Sequence, residues 1–171
     1  MRAALEAPDD LSAGLYGWLR YQLGWARENG VPAELATGKG VRPLLCLTAC
    51  EAVGSDPSAA VPAAAAIELT HEFSLIHDDI QDDDRTRRGL PALWTLCGAA
   101  QGINVGDAMF AVARREIGAT PGDAALVADL YARYDRACLN LVEGQFLDLS
   151  YESVDRIDSA AYLDMVSRKT G

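Results

Sequence analysis

Five aspartates lie within seven consecutive positions in the middle of the chain: Asp78, Asp79, Asp82, Asp83 and Asp84. Asp78 and Asp82 are four residues apart, so on a helix their carboxylates lie on one face. His71 lies seven residues before Asp78, two turns earlier on that face. Carboxylates crowded at a helix C-terminus repel each other and oppose the helix dipole, and a divalent cation would relieve that repulsion. Carboxylate ligands suit Mg²⁺, which keeps several waters and commonly bridges to substrate phosphates.

Cationic side chains flank the aspartates on both sides in the sequence. Lys39 and Arg42 are three residues apart and stand just after glycines, where backbone and cations can approach an anion together. On the other side come Arg85, Arg87 and Arg88. Cations and carboxylates that meet in one concave site indicate a Mg²⁺-bound polyphosphate ester. Two plainer interpretations stay open: a solvated acidic helix end, and arginines that neutralise the aspartates as weak surface pairs.

The composition favours a single helical domain over residues 1–171. Half of the 171 residues are hydrophobic, which is enough to bury a sizeable core. The 29 alanines, with few β-branched or aromatic runs, favour helix. The net charge of −10 repels DNA, RNA and anionic membranes over most of the surface, so we expect no general nucleic-acid binding.

Neither a membrane span nor a signal peptide is expected from the apolar segments. The longest apolar run, over residues 59–67, is interrupted by Pro62 and is too short to cross a bilayer. Acidic residues stand near the N-terminus where a signal peptide would need an apolar stretch, so we expect a cytoplasmic protein. The cysteines form no CxxC pair and are predicted to be buried thiols rather than metal ligands or disulfides: Cys46, Cys50, Cys97 and Cys138.

Apolar spacing predicts an all-α, antiparallel helical bundle. A first helical segment carries apolar residues at helical spacing and should end at Gly30 and Pro32: Leu11, Leu15, Trp18, Leu19 and Leu23. Further helices are predicted near 43–53, 58–82, 92–117 with a break near Gly102–Gly106, 122–150 and 158–169. Residues 83–91 should form a polar loop, and no stretch alternates long enough to predict a strand.

Six short segments together resemble the trans-isoprenyl diphosphate synthases, or polyprenyl synthetases. In family order and approximate spacing, they are Gly38–Pro43, Ser74–Asp82, Arg87–Gly89, Ile103–Asp107, Glu143–Asp148 and Lys169–Gly171. The combination is specific, whereas a DDxxD motif alone is shared with class I terpene cyclases. The family often has arginine where this chain has Gly40, a position outside its main phosphate contacts.

The resemblance implies an isoprenoid-synthase fold and a Mg²⁺-dependent condensation of isopentenyl diphosphate with an allylic prenyl diphosphate. It implies that Asp78 and Asp82 bind Mg²⁺ with Asp79 in support, and that Gln145 and Asp148 face the metal region. The residues implied for the isopentenyl diphosphate are Lys39, Arg42, His71 and Arg88. Those implied for the allylic diphosphate are Arg87, Lys169 and Thr170. The residues implied to be catalytic are Asp78, Asp79, Asp82, Arg87 and Lys169.

The resemblance also bears on product length and assembly. Phe73 stands five residues before Asp78, where an aromatic resembles short-chain synthases of the farnesyl or geranylgeranyl type, and Ser74 beside it is small. The alternative is that Phe73 is only a core aromatic. A homodimer is implied through the helices that carry Ile103–Asp107 and Leu126–Gln145.

Family members run beyond the Lys-Thr-Gly segment and carry a second aspartate-rich motif, whereas this sequence holds one DDxxD. We therefore expect residues 1–171 to correspond to the N-terminal part of a synthase domain. These residues alone should be inactive, and they should expose apolar helix faces that favour association.

Three other interpretations compete with a prenyltransferase. A non-catalytic partner subunit would keep the fold without turnover. A class I terpene cyclase binds one diphosphate and so would not need the Arg87–Arg88 pair in addition to Lys39. A di-iron bundle would need a second ExxH besides Glu68–His71, and the sequence has none.

Overall fold

The computed structural model describes residues 1–35 and 38–170, and helices dominate them. In chain order the helices are α1 (Ala13–Gln22), α2 (Val41–Ala52), α3 (Val61–Gln81), α4 (Leu93–Cys97), α5 (Ala99–Gly118), α6 (Ala124–Tyr151) and α7 (Ser159–Thr170). Two-residue strands β1 (Thr86–Arg87) and β2 (Leu90–Pro91) lie between α3 and α4. The all-α prediction is confirmed.

The chain divides into two compact units, Met1–Gly122 and Asp123–Gly171. The first unit holds α1 to α5, and the second holds α6 and α7. The prediction of one domain over residues 1–171 stays a prediction.

Helix α3 positions the aspartates, and local chemistry sets both of its ends. A short 3₁₀ turn precedes it, capped where the Asp56 carboxylate accepts a hydrogen bond of 2.9 Å from the Ser58 amide. Pro62 lies in the first turn, where no helical N–H is required, and four alanines follow. The last turn closes with the Asp82 amide donating to the Asp78 carbonyl at 2.9 Å. Asp83 then adopts a left-handed φ of +54°, which ends the helix.

The core of the first unit is the contact between α3 and α5. Leu69 and Ile76 of α3 and Val105 and Met109 of α5 are at most 1% exposed. Burial of each such side chain stabilises the fold by about 1.5–3 kcal/mol. The alanines of α3 and the small residues of α5 bring the two helices close together.

The predicted break near Gly102–Gly106 is wrong, since α5 runs through both glycines. A Cβ on Gly102 would lie 3.1 Å from the Trp94 Cβ, and a Cβ on Gly106 would overlap the His77 imidazole. These glycines therefore allow close packing and do not interrupt the helix. The break lies earlier, at Gly98, whose φ of +84° separates α4 from α5.

A hairpin follows α3 where a polar loop over 83–91 was expected. Strands β1 and β2 pair antiparallel, with Arg87 opposite Leu90. The two residues between the strands, Arg88 and Gly89, have φ of +54° and +78°, as in a type I′ turn. Strands of two residues are too short to show an alternating pattern, so no period-two signal could predict them.

The first helix is shorter than predicted, because α1 ends at Gln22 and not near Gly30. Gly24 has a φ of +71°, and the Trp25 amide donates to the Arg20 carbonyl at 2.8 Å. This pattern is a Schellman motif, which ends a helix locally. Leu11 lies before α1 and is 99% exposed, so it does not belong to the apolar stripe.

In the second unit, α6 and α7 pack against each other over their C-terminal halves. The Asp123 carboxylate caps α6 by accepting from the Leu126 amide at 2.8 Å. Gly144 of α6 is buried, and a Cβ there would overlap the Lys169 backbone of α7. The bounds of both helices match the predicted spans 122–150 and 158–169 to within two residues.

The cysteines are all free thiols, but the prediction that they are all buried is wrong for three of them. Cys138 is buried, whereas those on α2 and α4 are partly exposed because these helices lie at the edge of the first unit: Cys46, Cys50 and Cys97. Among the described residues, no helix combines the length and the apolar character that crossing a membrane requires.

We predict opposite effects for alanine at two helical glycines. Gly106→Ala should lower the free energy of unfolding by about 1–3 kcal/mol, because its Cβ would overlap the His77 ring. Gly17→Ala in α1 is the matched control, since no atom lies within 4 Å of its added Cβ. The control should gain about 0.5–1 kcal/mol from better helix propensity. Urea unfolding of both variants checks this, and a stabilised Gly106→Ala would contradict the packing role.

Candidate functional site

The candidate site is built by the C-terminal half of α3 and the hairpin that follows it. The helix supplies carboxylates and the hairpin supplies two consecutive arginines. Each arginine pairs with a different buried carboxylate of α3. The sequence predicted that the aspartates and the nearby arginines meet in one site, and the structure brings Asp79 and Arg87 into direct contact.

Asp79 and Arg87 form the first of these pairs. The Asp79 side chain is 2% exposed, and the Arg87 Nε donates to its Oδ1 at 2.8 Å, with a second bond from Nη2 to the same oxygen. Burial raises the pKa of Asp79, while the Arg87 hydrogen bonds act in the opposite direction. The other Asp79 oxygen, Oδ2, is buried and has no hydrogen-bond partner among the described residues.

The Arg87 guanidinium also reaches two further carboxylates. Its Nη2 lies 3.9 Å from Asp78 Oδ2 and 3.6 Å from Asp84 Oδ2. The hydrogen bonds that Arg87 donates to Asp79 and the nearby negative charges raise the pKa of Arg87, so the group is a permanent cation. One guanidinium therefore counteracts the repulsion among the aspartates that the sequence predicted.

Glu72 and Arg88 form the second pair, one that the sequence analysis missed. Glu72 is 1% exposed, and its Oε1 accepts from Arg88 Nη2 at 2.8 Å. Its Oε2 accepts from Gln22 Nε2 at 2.9 Å. The available signal was an acidic residue next to Phe73 on the apolar face of a helix, since a buried carboxylate requires hydrogen-bonding partners.

The arginine of this pair lies beside the glycine-rich segment that precedes α2. A Cβ on Gly38 would lie 3.1 Å from Arg88 Nη2 and 3.6 Å from Glu68 Oε1. Glycine at this position leaves that space to the guanidinium, which a larger residue would displace. Lys39 and Arg42, which follow Gly38, are exposed. The glycine-rich segment and the hairpin thus present their cations at the same part of the first unit.

His71 lies in the field of these cations. Burial lowers the pKa of His71, and the positive charges of Arg42, Arg88 and Arg87 lower it further, against an opposing effect of Glu72. For Glu68, one turn earlier, burial and the Glu72 charge raise the pKa, while Arg88 and Arg42 act to lower it. These mutual effects place Arg42, His71 and Arg88 in one electrostatic cluster.

The described residues contain no group of three or more His, Cys, Asp or Glu side chains that could hold a metal ion. Asp78 is partly buried and Asp82 is exposed at the end of α3, one helical turn apart. Two carboxylates in this arrangement fit Mg²⁺, which binds to proteins through one or two carboxylates plus waters and substrate phosphates. The donor set therefore fits a metal that binds together with a phosphate ligand.

The two residues predicted to control chain length lie deeper on α3. Phe73 is 7% exposed and makes edge-to-face contacts with Phe110 of α5 at 5.3 Å and with His77 at 5.7 Å between ring centroids. The Ser74 hydroxyl donates to the His71 carbonyl at 2.8 Å. Phe73 is thus part of the α3–α5 core and lies more than one turn below Asp78, which agrees with both interpretations of this residue.

The remaining predicted residues lie in the second unit. Lys169 Nζ and Asp148 Oδ2 form an ion pair at 2.6 Å. Gln145 is partly buried, and the Thr170 hydroxyl donates to the Val166 carbonyl at 3.0 Å. Gly171, which closes the Lys-Thr-Gly segment, lies outside the described residues. The structure thus brings Lys169 and Asp148 together within this unit.

Comparison with known proteins finds one family and many relatives. The family profile described as "Polyprenyl synthetase" matches residues 31–171. A geranylgeranyl pyrophosphate synthase of Geoglobus acetivorans is 39% identical over 136 residues, which cover 80% of this chain and 43% of that protein. A (2E,6E)-farnesyl diphosphate synthase of Mycobacterium tuberculosis is 38% identical over 150 residues, covering 88% of this chain and 41% of that protein.

Solved structures give the same result. The geranylgeranyl pyrophosphate synthetase of Geoglobus acetivorans superposes with a TM-score of 0.87 at 35% identity, covering 99% of this chain and 51% of that one. A polyprenyl synthetase of Streptomyces coelicolor A3(2) gives 0.87 at 38% identity, covering 98% and 48%. The chain spans 41–43% of the length of the curated relatives that the first comparisons align. The predicted resemblance is confirmed, and the chain belongs to the polyprenyl synthetase family.

Proposed function

We propose that this chain carries the diphosphate-binding residues of a Mg²⁺-dependent trans-prenyltransferase that condenses isopentenyl diphosphate with an allylic diphosphate. The observation that carries the proposal is the pair of arginines held at the aspartate-rich end of α3. Arg87 touches Asp79 and lies 3.9 Å from Asp78, and Arg88 is fixed beside the Gly38 segment. The names of relatives, farnesyl and geranylgeranyl diphosphate synthases, support a short-chain product.

In this proposal, Asp78 and Asp82 hold Mg²⁺ at the allylic diphosphate. When bound, Mg²⁺ would neutralise the negative charge that develops as the diphosphate leaves. Arg87 is a fixed cation next to Asp78 and would contact the same diphosphate. Asp79 would support this site indirectly, because its buried carboxylate keeps the Arg87 guanidinium in place beside Asp78.

The isopentenyl diphosphate would bind to a second set of cations. Arg88 and the glycine-rich segment are adjacent in the structure, and Arg42 and His71 belong to the same electrostatic cluster. Lys39 is exposed within that segment. The allylic C–O bond breaks, the alkene of isopentenyl diphosphate forms the new C–C bond, and a proton leaves to the released pyrophosphate. The protein contributes by positioning both substrates and excluding water, which would trap the carbocation as an alcohol.

Lys169 and Asp148 of the second unit are proposed to take part in diphosphate binding because they match the family motifs. Lys169 Nζ and Asp148 Oδ2 form an ion pair at 2.6 Å, so each would exchange this partner if Lys169 bound a diphosphate and Asp148 bound a metal ion. Thr170 and Gln145 are proposed to contact the same region. This assignment rests on the family motifs and on the Lys169–Asp148 contact.

We also propose a cytoplasmic homodimer. Helix α6 exposes Leu139, Val142 and Phe146 at 55–70% of their surfaces. These side chains are spaced three and four residues apart, so they form one apolar stripe that a second copy could cover. A cytoplasmic location agrees with water-soluble diphosphate substrates.

We predict that binding of an allylic diphosphate depends on Mg²⁺ and on both outer aspartates. Asp78→Asn and Asp82→Asn should each weaken the Mg²⁺-dependent binding of an unreactive allylic diphosphate analogue by about tenfold or more, as loss of a charged ligand would. Isothermal titration calorimetry measures the effect without turnover. Asp10→Asn, which removes the same charge from an exposed site near α1, should change nothing. Equal affinities in all three variants would contradict the proposal.

His71 should titrate below its ordinary pKa of 6.5 and respond to ligand. Because its pKa in the folded state is lowered, the stability it contributes is complete above pH 6.5 and is lost as the pH falls through the folded-state pKa. In a His77→Gln variant, NMR would follow the one remaining imidazole. Isopentenyl diphosphate should raise the measured pKa, because a bound anion favours the imidazolium. A ligand-independent pKa would contradict a diphosphate next to His71.

Phe73 is proposed to close the product cavity below Asp78. Phe73→Ala in the active enzyme should lengthen the main product by at least one isoprene unit, and Ser74→Phe should shorten it. Chromatography of the dephosphorylated products checks both variants. If Phe73→Ala and the wild type make the same product, Phe73 does not limit chain length and is only a core aromatic.

A further inference from the structure

Glu72 is a buried anion within a site that should attract anions. It lies one turn after Glu68 on α3 and is 1% exposed; over residues 1–35 and 38–170, the buried polar or charged residues are Gln22, Glu72 and Asp79. A carboxylate at this place lowers the local positive potential, which weakens the attraction for a diphosphate. Its presence in a phosphate site therefore requires a compensating role.

Both oxygens of this carboxylate are used inside the fold. Oε1 accepts from Arg88 Nη2 at 2.8 Å, and Oε2 accepts from Gln22 Nε2 at 2.9 Å. Gln22 is the last residue of α1 and is buried, and the Schellman turn that ends that helix fixes its backbone. The three residues form a chain of contacts from α1, through α3, to the hairpin.

Arg88 requires such support, because its backbone conformation is unfavourable. Its φ of +54° places an arginine in the left-handed region that type I′ turns normally fill with Gly, Asn or Asp. Its long side chain also has many rotamers, and fixing them costs entropy. The bond to Glu72 offsets both costs and directs the guanidinium toward Gly38.

We propose that Glu72, oriented by Gln22, is a positioning residue that holds Arg88 ready for the isopentenyl diphosphate. The inference rests on the proposed function and adds two residues to the same site. The guanidinium has five N–H donors, and Glu72 occupies one edge of it. The Arg88 side chain stays 21% exposed, so other donors can reach a phosphate. Preorganisation of this cation reduces the entropy lost on binding.

Glu72→Gln should change the affinity for isopentenyl diphosphate in opposite directions, depending on whether Glu72 positions Arg88 or acts only through its charge. Removing a negative charge beside an anion site should tighten diphosphate binding if charge alone matters. If Glu72 positions Arg88, binding of isopentenyl diphosphate should instead weaken by about five- to tenfold. Glu68→Gln is the matched control, because it removes the same charge one turn away, while the described contacts of Arg88 on α3 are with Glu72. That variant should bind as wild type or more tightly.

The experiment measures the dissociation constant of isopentenyl diphosphate by calorimetry, without an allylic substrate, so that no turnover occurs. Glu72→Gln is also made in an Arg88→Ala background, where its effect should disappear. If Glu72→Gln weakened binding through a general structural defect, the loss of affinity would persist in the Arg88→Ala background. Gln22→Met, which keeps the volume, provides a second variant should Glu72→Gln fold poorly, and it should weaken binding about threefold through the lost hydrogen bond to Glu72.

Each outcome has one meaning. Weaker binding in Glu72→Gln or Gln22→Met that vanishes in the Arg88→Ala background supports the proposal. Unchanged or tighter binding, or a loss that persists without Arg88, overturns it and leaves the proposed function intact. If Arg88→Ala alone binds isopentenyl diphosphate like wild type, the assignment of Arg88 under the proposed function fails.

Discussion

Two buried carboxylates on α3 fix the positions of the cations on which the site depends. Asp79 and Glu72 are seven residues apart, so they lie two turns and about 10 Å apart along one face of the helix. Arg87 and Arg88 are adjacent in sequence, yet each reaches a different one of these carboxylates. A buried carboxylate without its partner would cost several kcal/mol, so the hairpin is held in one register against α3. The spacing of the two anions sets the spacing of the two cations.

The glycines make this arrangement possible. Gly106 lets α5 approach the His77 ring directly below the aspartates, and Gly38 leaves room for the Arg88 guanidinium. At the left-handed turn of Arg88 and Gly89, the Arg87 side chain is directed to Asp79 and the Arg88 side chain to Glu72. Small residues and an unfavourable backbone conformation thus bring charged groups from three segments to one place. Packing of the apolar α3–α5 core supplies the stability that offsets these local costs.

The sequence predicted the long helices well, while the roles of the charged residues of the site stay predictions. Apolar periodicity and alanine content define α3 and α6 because those helices have a clear buried face. The prediction of a helix break at Gly102–Gly106 was wrong, because in a sequence a glycine that permits close packing cannot be told from one that breaks a helix. The hairpin was missed because two-residue strands have no period. Glu72 was missed because its role depends on Gln22, fifty residues earlier, and on a turn that no local pattern predicts.

A crystal structure of the protein with Mn²⁺ in place of Mg²⁺, isopentenyl diphosphate and an unreactive allylic diphosphate analogue would show which residues hold the metal and each diphosphate. The anomalous signal would locate the metal without ambiguity. The account predicts an ion bound to Asp78 and Asp82 and to the allylic diphosphate, with Arg88 on the isopentenyl diphosphate. An ion remote from α3, or diphosphates that leave Arg87 and Arg88 untouched, would contradict it.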